Sequence, residues 1–232
     1  MRIYGWLAHT DADRSQCLRP LVIIGAGGHA VSVANVAFSA GYTIKNFVDK
    51  NKQGLDLLGC QIVGNIRDMG DLDAFSFGIA VGDNAVRERA YNELQAIHDK
   101  LDFPALVHAS ATISSFARIG KGTVVMPKAV VGPNSSVGEF CVINTQASID
   151  HDCVMLDFSS LAPAAVTGGD VKIGMRSAVS IGAVIKHGLN IGDDSIVGAN
   201  SYLNCDLPNN QVAYGTPAKH VRFRKLGEPY FG

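Results

Sequence analysis

Charge, aromatic rings and long apolar runs are all scarce in this chain of 232 residues. Only 18% of the side chains are charged, and 20 Lys plus Arg stand against 21 Asp plus Glu, for a formal net charge of -1. No global field gathers nucleic acid or an anionic membrane surface, so neither partner is expected. No stretch approaches the roughly 20 consecutive apolar residues of a spanning helix, so no membrane span is expected either. Five cysteines, at 17, 60, 141, 153 and 205, are an odd number without C-x-x-C spacing. That fits small reduced thiols better than a disulfide set or a zinc cluster. Residues 1–20 have several charges and no continuous apolar region, unlike a secretory signal, and the expected location is cytoplasmic. What the chain does have is aliphatic side chains and glycine: 47% of residues are hydrophobic and 25 are Gly, which argues for a folded protein with a real core.

A six-residue period fixes the architecture of the C-terminal half. Starting at Ile113 and stepping by six, sixteen lead positions follow without a break to Leu203, and fourteen of them are Ile, Val or Leu. The residue four places after each lead is Ala, Ser, Thr, Cys or Val in fourteen of the sixteen. A helix cannot use this pattern, because six residues at about 100° each scatter the leads over several faces. A coil of three short strands with a corner after each buries every lead and fills a triangular interior with alternating large and small side chains.

On these residues, 113–208 resemble the left-handed β-helix of the hexapeptide-repeat acyltransferases, and the handedness comes from that resemblance alone. The resemblance implies a homotrimer with an acyl-CoA lying in the groove between neighbouring prisms.

Before the repeat the pattern is different. Leu21 to Ile24 reads as a buried strand, Gly25 to Ala30 as a glycine turn and Val31 to Ser39 as a helix. Further strands are expected at Asn46 to Asp49 and Phe77 to Val81. A second helix is expected from Ala85 to Leu101, with Arg87, Glu88 and Arg89 on its wet face. Strand, glycine turn, helix, strand is a βαβ unit. Gly25, Gly27 and Ala30, with Asp49 at the end of the next strand, imitate a dinucleotide fingerprint. Physically this means that backbone can approach a ligand closely and that helix N-terminal amides can hold a phosphate. Residues 21–106 are too few for two such halves, so one mononucleotide-binding half is expected. The domain plan is therefore an extension (1–20), a parallel α/β domain (21–106), the prism (107–208) and a C-terminal loop and tail (209–232).

The combination is similar to one subgroup of sugar acetyltransferases, which includes the bacillosamine-pathway and perosamine N-acetyltransferases and the sialic acid O-acetyltransferases. The residues that carry the resemblance are Gly25 to His29, Ala80 to Asn84, Ile143 to Thr145 leading into Asp150 to Cys153, and Gly215 to Lys219. It implies that Gly27, Gly28, His29, Asp49, Lys50 and Gly82 hold a nucleotide-linked amino sugar. It implies His151 as the general base and Asp152 as the group that raises its basicity. Ile181 and Ala199 then line an acetyl-CoA groove, and Lys219 lies beside CoA with Arg222 and Arg224 nearby. Ser160 stands where the bacillosamine enzymes carry a second histidine against the acetyl carbonyl. No metal is implied.

The residues point the same way on their own. Acyl transfer from a thioester to an amine needs a group that takes a proton as the new bond forms, and His suits that task near neutral pH. The repeat contains only His151 and His187, both in the third place of a hexad and two coils apart, so they stack on one corner. His151 alone is flanked by carboxylates, Asp150 and Asp152, which can fix its tautomer and stabilise its cation. A carbonic anhydrase of the γ class needs three converging histidines, a nicotinamide enzyme needs the missing second half-domain, and an inert scaffold leaves His151 and the glycine turn unexplained. Together with these residues, the resemblance implies N-acetylation of the 4-amino group of a nucleotide-linked amino-dideoxysugar, UDP-linked by preference, with acetyl-CoA as donor. O-acetylation of sialic acid or a surface polysaccharide is the alternative.

Overall fold

The computed structural model describes residues 18–229, so Cys17 and most of the expected N-terminal extension lie outside the described residues, as do residues 230–232. The α/β domain begins with strand β1 (Leu21–Ile24), helix α1 (Gly28–Ser39) and strand β2 (Ile44–Val48). It continues through β3 (Asp56–Leu57), β4 (Cys60–Val63), β5 (Ser76–Ile79) and helix α2 (Asn84–Ile97). Its sheet has the order β3-β4-β2-β1-β5, parallel except for the β3–β4 pair. The strands β3 and β4 carry no apolar alternation long enough to announce them, and the left-handed Leu58 and Gly59 between them make the turn.

Both helices differ at their ends from the expectation. Helix α1 starts at Gly28 rather than Val31, since Gly27 and Gly28 are already the end of the turn and the helix buries Ala30, Val33, Ala34, Val36 and Ala37. Helix α2 starts at Asn84, where the Asp83 carboxylate accepts from the Val86 amide, a side-chain cap of the usual kind. It stops at Ile97 because His98 takes an extended conformation.

From β6 (Leu106–Val107) to β22 (Tyr202–Leu203) the chain is a succession of two-residue strands in three parallel sheets. Partners lie one coil apart, as in Val142 with Ser160 and Val130 with Ser148. We call the sheet holding Val142–Ile143 and Ser160–Leu161 the first face. The sheet holding Ser148–Ile149 and Val166–Thr167 is the second face, and the sheet holding Ser136–Val137 and Val154–Met155 is the third. The lead side chains turn inward and form one column of core with the small residues at the fifth place, for example Ile143, Ile149, Met155 and Leu161 with Ala147 and Cys153. At most corners the residue three places after the lead takes a left-handed conformation, among them Asn134, Phe140, Asp152 and Phe158.

Where a loop and tail were expected, β23 (Gln211–Gly215) adds to the first face and β24 (Ala218–Phe223) folds back on it as an antiparallel hairpin.

The two domains meet along α1, which shares a buried cluster with Leu106, Val124 and Met126, and along one stripe of α2. Asn84, Arg87, Glu88 and Tyr91 recur at helical spacing and all touch the third-to-first corners of the prism. Asn84 donates to the Arg176 and Ser177 carbonyls, Glu88 pairs with Arg176 at 3.0 Å, and the Tyr91 ring packs on Phe140 and Phe158. This corrects the sequence reading of the helix. Arg87 is 1% exposed and Glu88 is half-buried, leaving only Arg89 of the three on the wet face.

Candidate active site

A cavity of about 500 Å³ opens between the domains. One wall is His29 from the first turn of α1 with Gly82 and Asp83 from the loop after β5; the other is Asn144, Ser160, Ile181 and Ala199 from the first face and its corner with the second. Five of the residues singled out in the sequence, His29, Gly82, Ser160, Ile181 and Ala199, are thus brought together. The cavity also contains Asn144 and Asp83, which the sequence reading placed in motifs without a role.

The chemistry of this cavity is set by two polar atoms with no partner. The Ser160 hydroxyl and the His29 Nε2 atom are both buried and make no hydrogen bond among the described residues. Such groups are costly to leave unpaired, so they are available to a bound molecule. Burial, and then the nearby Arg87 cation, push the His29 imidazole down to about 4, which keeps it neutral at working pH.

The glycine turn is shaped by close approach. Gly25 has φ +106°, and a Cβ there would sit 3.0 Å from the Ala80 carbonyl oxygen. Gly27 and Gly28 have open space where a side chain would stand, which leaves the first amides of α1 uncovered. The Asp49 carboxylate accepts from the Ala26 amide at 3.3 Å and from the Asn51 amide at 2.9 Å. Asp49 and Lys50 line a second, smaller cavity of about 260 Å³ together with Gly64, Asn65, Ile66 and Glu93. Six candidate sugar-nucleotide residues therefore occupy one edge of the sheet without sharing one cavity.

His151 and Asp152 stand elsewhere, on the second-to-third corner and on the opposite side of the prism from the first face. The ring Nδ1 lies 2.7 Å from Asp152 Oδ2, and both side chains are more than half exposed. Asp152 has φ +59°, a conformation that Asp tolerates better than most residues; Asn134 on the preceding coil donates to its other oxygen at 3.3 Å. Asp150 does not face the ring: its carboxylate accepts from the His151 backbone amide at 2.8 Å. The Asp152 hydrogen bond first, then the Asp150 charge, raise the His151 imidazole above its ordinary value, and the same contact lowers the Asp152 carboxyl. With Nδ1–H donating to Asp152, the lone pair at Nε2 is free to accept a proton.

Gly169, one coil on, is a site residue that sequence reasoning missed. A Cβ there would lie 2.5 Å from His151 Nε2, so only glycine leaves that ring nitrogen open. Its signal was a hexad whose third place, between the two histidines of the same corner, is empty. His187 lies on that column beyond Gly169, with its backbone against Gly168.

The basic C-terminal residues divide. Lys219 is exposed on β24 and lies outside the 500 Å³ cavity. Arg222 pairs with Glu228 at 2.8 Å. Arg224 is buried and donates to the carbonyls of Asp194 and Glu228, so it does not face a CoA phosphate. Among the described residues no group of three His, Cys, Asp or Glu is placed to hold a metal ion.

Known proteins resemble this chain along most of its length. Residues 20–94 match the family of PglD N-terminal domains. The acetyltransferase domain of PglB from Neisseria gonorrhoeae FA1090, solved with acetyl coenzyme A, is 33% identical, superposes with a TM-score of 0.83, and covers 88% of this chain with 100% of its own. PerB from Caulobacter crescentus, solved with CoA and GDP-perosamine, is 33% identical with a TM-score of 0.80, covering 88% of this chain and 97% of its own. The GDP-perosamine N-acetyltransferase of Escherichia coli O157:H7 is 26% identical over 151 residues, which are 63% of this chain and 67% of that enzyme.

Proposed function

We propose a specific reaction for this chain, which belongs to the hexapeptide-repeat sugar acetyltransferases with an N-terminal half-Rossmann domain and a left-handed β-helix: transfer of the acetyl group of acetyl-CoA to the 4-amino group of a nucleotide-linked amino-dideoxysugar. The observation that carries it is the inter-domain cavity, where the βαβ loops face the first face of the prism. The neighbours support the choice of ligands, one being solved with acetyl coenzyme A and another with CoA and GDP-perosamine.

In this reading the glycine turn and Gly82 hold the sugar nucleotide, while Ile181 and Ala199 border the pantetheine. The neutral amine attacks the thioester carbonyl, and His151 Nε2 takes the amine's proton as the carbon–nitrogen bond forms. Asp152 stabilises the imidazolium, the Ser160 hydroxyl donates to the developing oxyanion, and collapse expels the CoA thiolate, which recovers the proton from His151.

His151 and the cavity are on opposite sides of one prism, so the reaction needs a second copy. The outward residues of the second face include Val130, Val184 and Tyr202, all exposed, whereas Arg118, Lys172 and Asn190 occupy the third face. Three prisms with their second faces toward a common axis place the first-to-second corner of each copy beside the second-to-third corner of the next. That arrangement brings Pro163 and Ile181 at the cavity mouth next to a neighbour's His151. The homotrimer is checked by sedimentation at micromolar concentration, where a monomer would remove the active site as drawn.

The reaction is tested by offering acetyl-CoA with a panel of UDP-, GDP- and dTDP-linked 4-amino sugars and following free CoA thiol. Release with one of the nucleotide-linked amines is expected. The UDP-linked member is the preferred acceptor from the sequence, and the GDP-linked member is the one suggested by the perosamine enzymes. Release only with sialic acid or a polysaccharide hydroxyl would overturn N-acetylation.

A further inference from the structure

One guanidinium joins the two walls of the inter-domain cavity. Arg87 lies wholly inside the domain boundary, and its donors go to both sides of it. Nη1 donates to the Val81 and Gly82 carbonyls at 2.9 and 3.0 Å. Nε donates to the Phe140 carbonyl at 2.7 Å, and Nη2 to the Phe158 carbonyl at 2.9 Å and the Ser159 carbonyl at 3.4 Å. Nη2 also holds the Asn84 side-chain oxygen at 2.8 Å, and Asn84 passes the connection on to the next coil through the Arg176 and Ser177 carbonyls, both at 3.0 Å.

The bonded carbonyls are not arbitrary points of the fold. Gly82 itself lines the cavity, and Ser159 directly precedes Ser160, which belongs to the opposite wall. A single side chain therefore spans from the turn that faces the acceptor to the strand that faces the donor. Lysine cannot replace it, because a compact ammonium has three donors and no planar fork to reach carbonyls lying in several directions.

We propose that Arg87, oriented by Asn84, is a positioning residue that sets the spacing between the acceptor-holding turn and the acetyl-holding face. The inference rests on the acetyl-transfer reading above. Each substrate touches mainly one wall, so a shift between the walls leaves each binding step nearly intact. Such a shift separates the amine from the thioester, and a displacement of about 1 Å costs on the order of 10²-fold in rate.

The test uses Arg87→Lys and Asn84→Ala in the full chain, with Arg89→Gln on the exposed side of the same helix as a control. Melting temperature and sedimentation establish folding first, and calorimetric titration with CoA, UDP and GDP then measures each half-site alone. For Arg87→Lys, dissociation constants within about threefold of wild type and a kcat lowered roughly 10–10²-fold are expected. Asn84→Ala should show a smaller loss of kcat in the same direction, and Arg89→Gln none. A folded Arg87→Lys protein with wild-type kcat, or one whose loss is confined to KM, overturns the proposal. If Arg87→Lys does not fold, Asn84→Ala decides alone; if that variant also fails to fold, or folds with wild-type kcat, Arg87 serves folding only and the proposal is wrong. Failure of the acetyl-transfer reading is seen separately, in the wild type, as absence of thiol release with every nucleotide-linked amine.

Discussion

The third-to-first corners at Phe140 and Phe158 and the second-to-third corner at Asp152 share one backbone. Their φ angles are 53°, 57° and 59°, and all three stand three places after a lead. Their fates are opposite. The two phenylalanine rings stack 5.3 Å apart at an interplanar angle of 7° and disappear under Tyr91 and Phe103, whereas Asp152 stays in solvent and grips the His151 ring. The repeat thus supplies a geometric frame that is indifferent to use. What stands at the corner, and whether another domain covers it, decides between adhesion and chemistry.

If that division is real, the exposed corner can be emptied without loss of fold. His151→Ala should lower kcat by roughly 10²–10⁴-fold, the usual cost of removing a general base, with little change in melting temperature. Near wild-type turnover at saturating substrates would show that the amine loses its proton to water. The covered corner should respond the other way. Phe140→Ala, at a residue 0% exposed, is expected to destabilise by about 3–5 kcal/mol in chemical denaturation, while the protein that remains folded keeps the wild-type pH profile. A shifted profile would mean that the two corners are not independent.

Acidification separates the sites further. The folded His29 imidazole titrates at about 4 against 6.5 for the unfolded chain, so the unfolded state takes up a proton that the folded state refuses. This contribution is complete above pH 6.5 and is lost as pH falls toward 4, reaching at most about 3 kcal/mol. Replacing His29 with Gln should flatten that part of the stability curve, and an unchanged slope would place the titration elsewhere. Activity fails earlier on the same descent. In the proposed reaction His151 must be neutral to accept a proton, and its titration is raised, so the acid limb of kcat/KM should lie above the ordinary histidine value. Asp152→Asn should move that limb to lower pH and reduce turnover by about tenfold. If Asp150→Asn does this instead, the ring contact seen here is not the one that matters.

How far these features could be read in advance differs between the same regions. The prism was legible because every lead must face inward whatever its neighbours do, and the His151–Asp152 contact was legible because the two are adjacent on one corner. The starts of α1 and α2 were not, since one follows directly from the glycine turn at Gly27 and the other from the Asp83 cap. The short strands β3 and β4 were invisible because a two-residue strand such as Asp56–Leu57 carries no period. The burial of Arg87 was hidden for a different reason: its partners are carbonyls such as that of Phe140, more than fifty positions away and without side-chain identity. Only the stripe Asn84, Arg87, Glu88 and Tyr91 hinted that this face of the helix was occupied. By the same logic, the meeting of His29 and Gly82 with Ser160 and Ile181 could not be read from either domain alone.

The coil also constrains how such a chain can change in length. Partners are separated by eighteen residues, as Val142 is from Ser160, so duplicating or deleting one whole coil returns every later residue to its own face. Gain or loss of a single hexad turns everything downstream by one side of the triangle. Upstream of His151, a gained hexad would carry the imidazole to the corner occupied by Phe140 and Phe158, beneath the α/β domain, and a lost one would carry it to the first-to-second corner. Descendants of this sequence can therefore grow or shrink by whole coils, preferably beyond Ala199 where the cavity lining ends, while six-residue slips before His151 are closed to them.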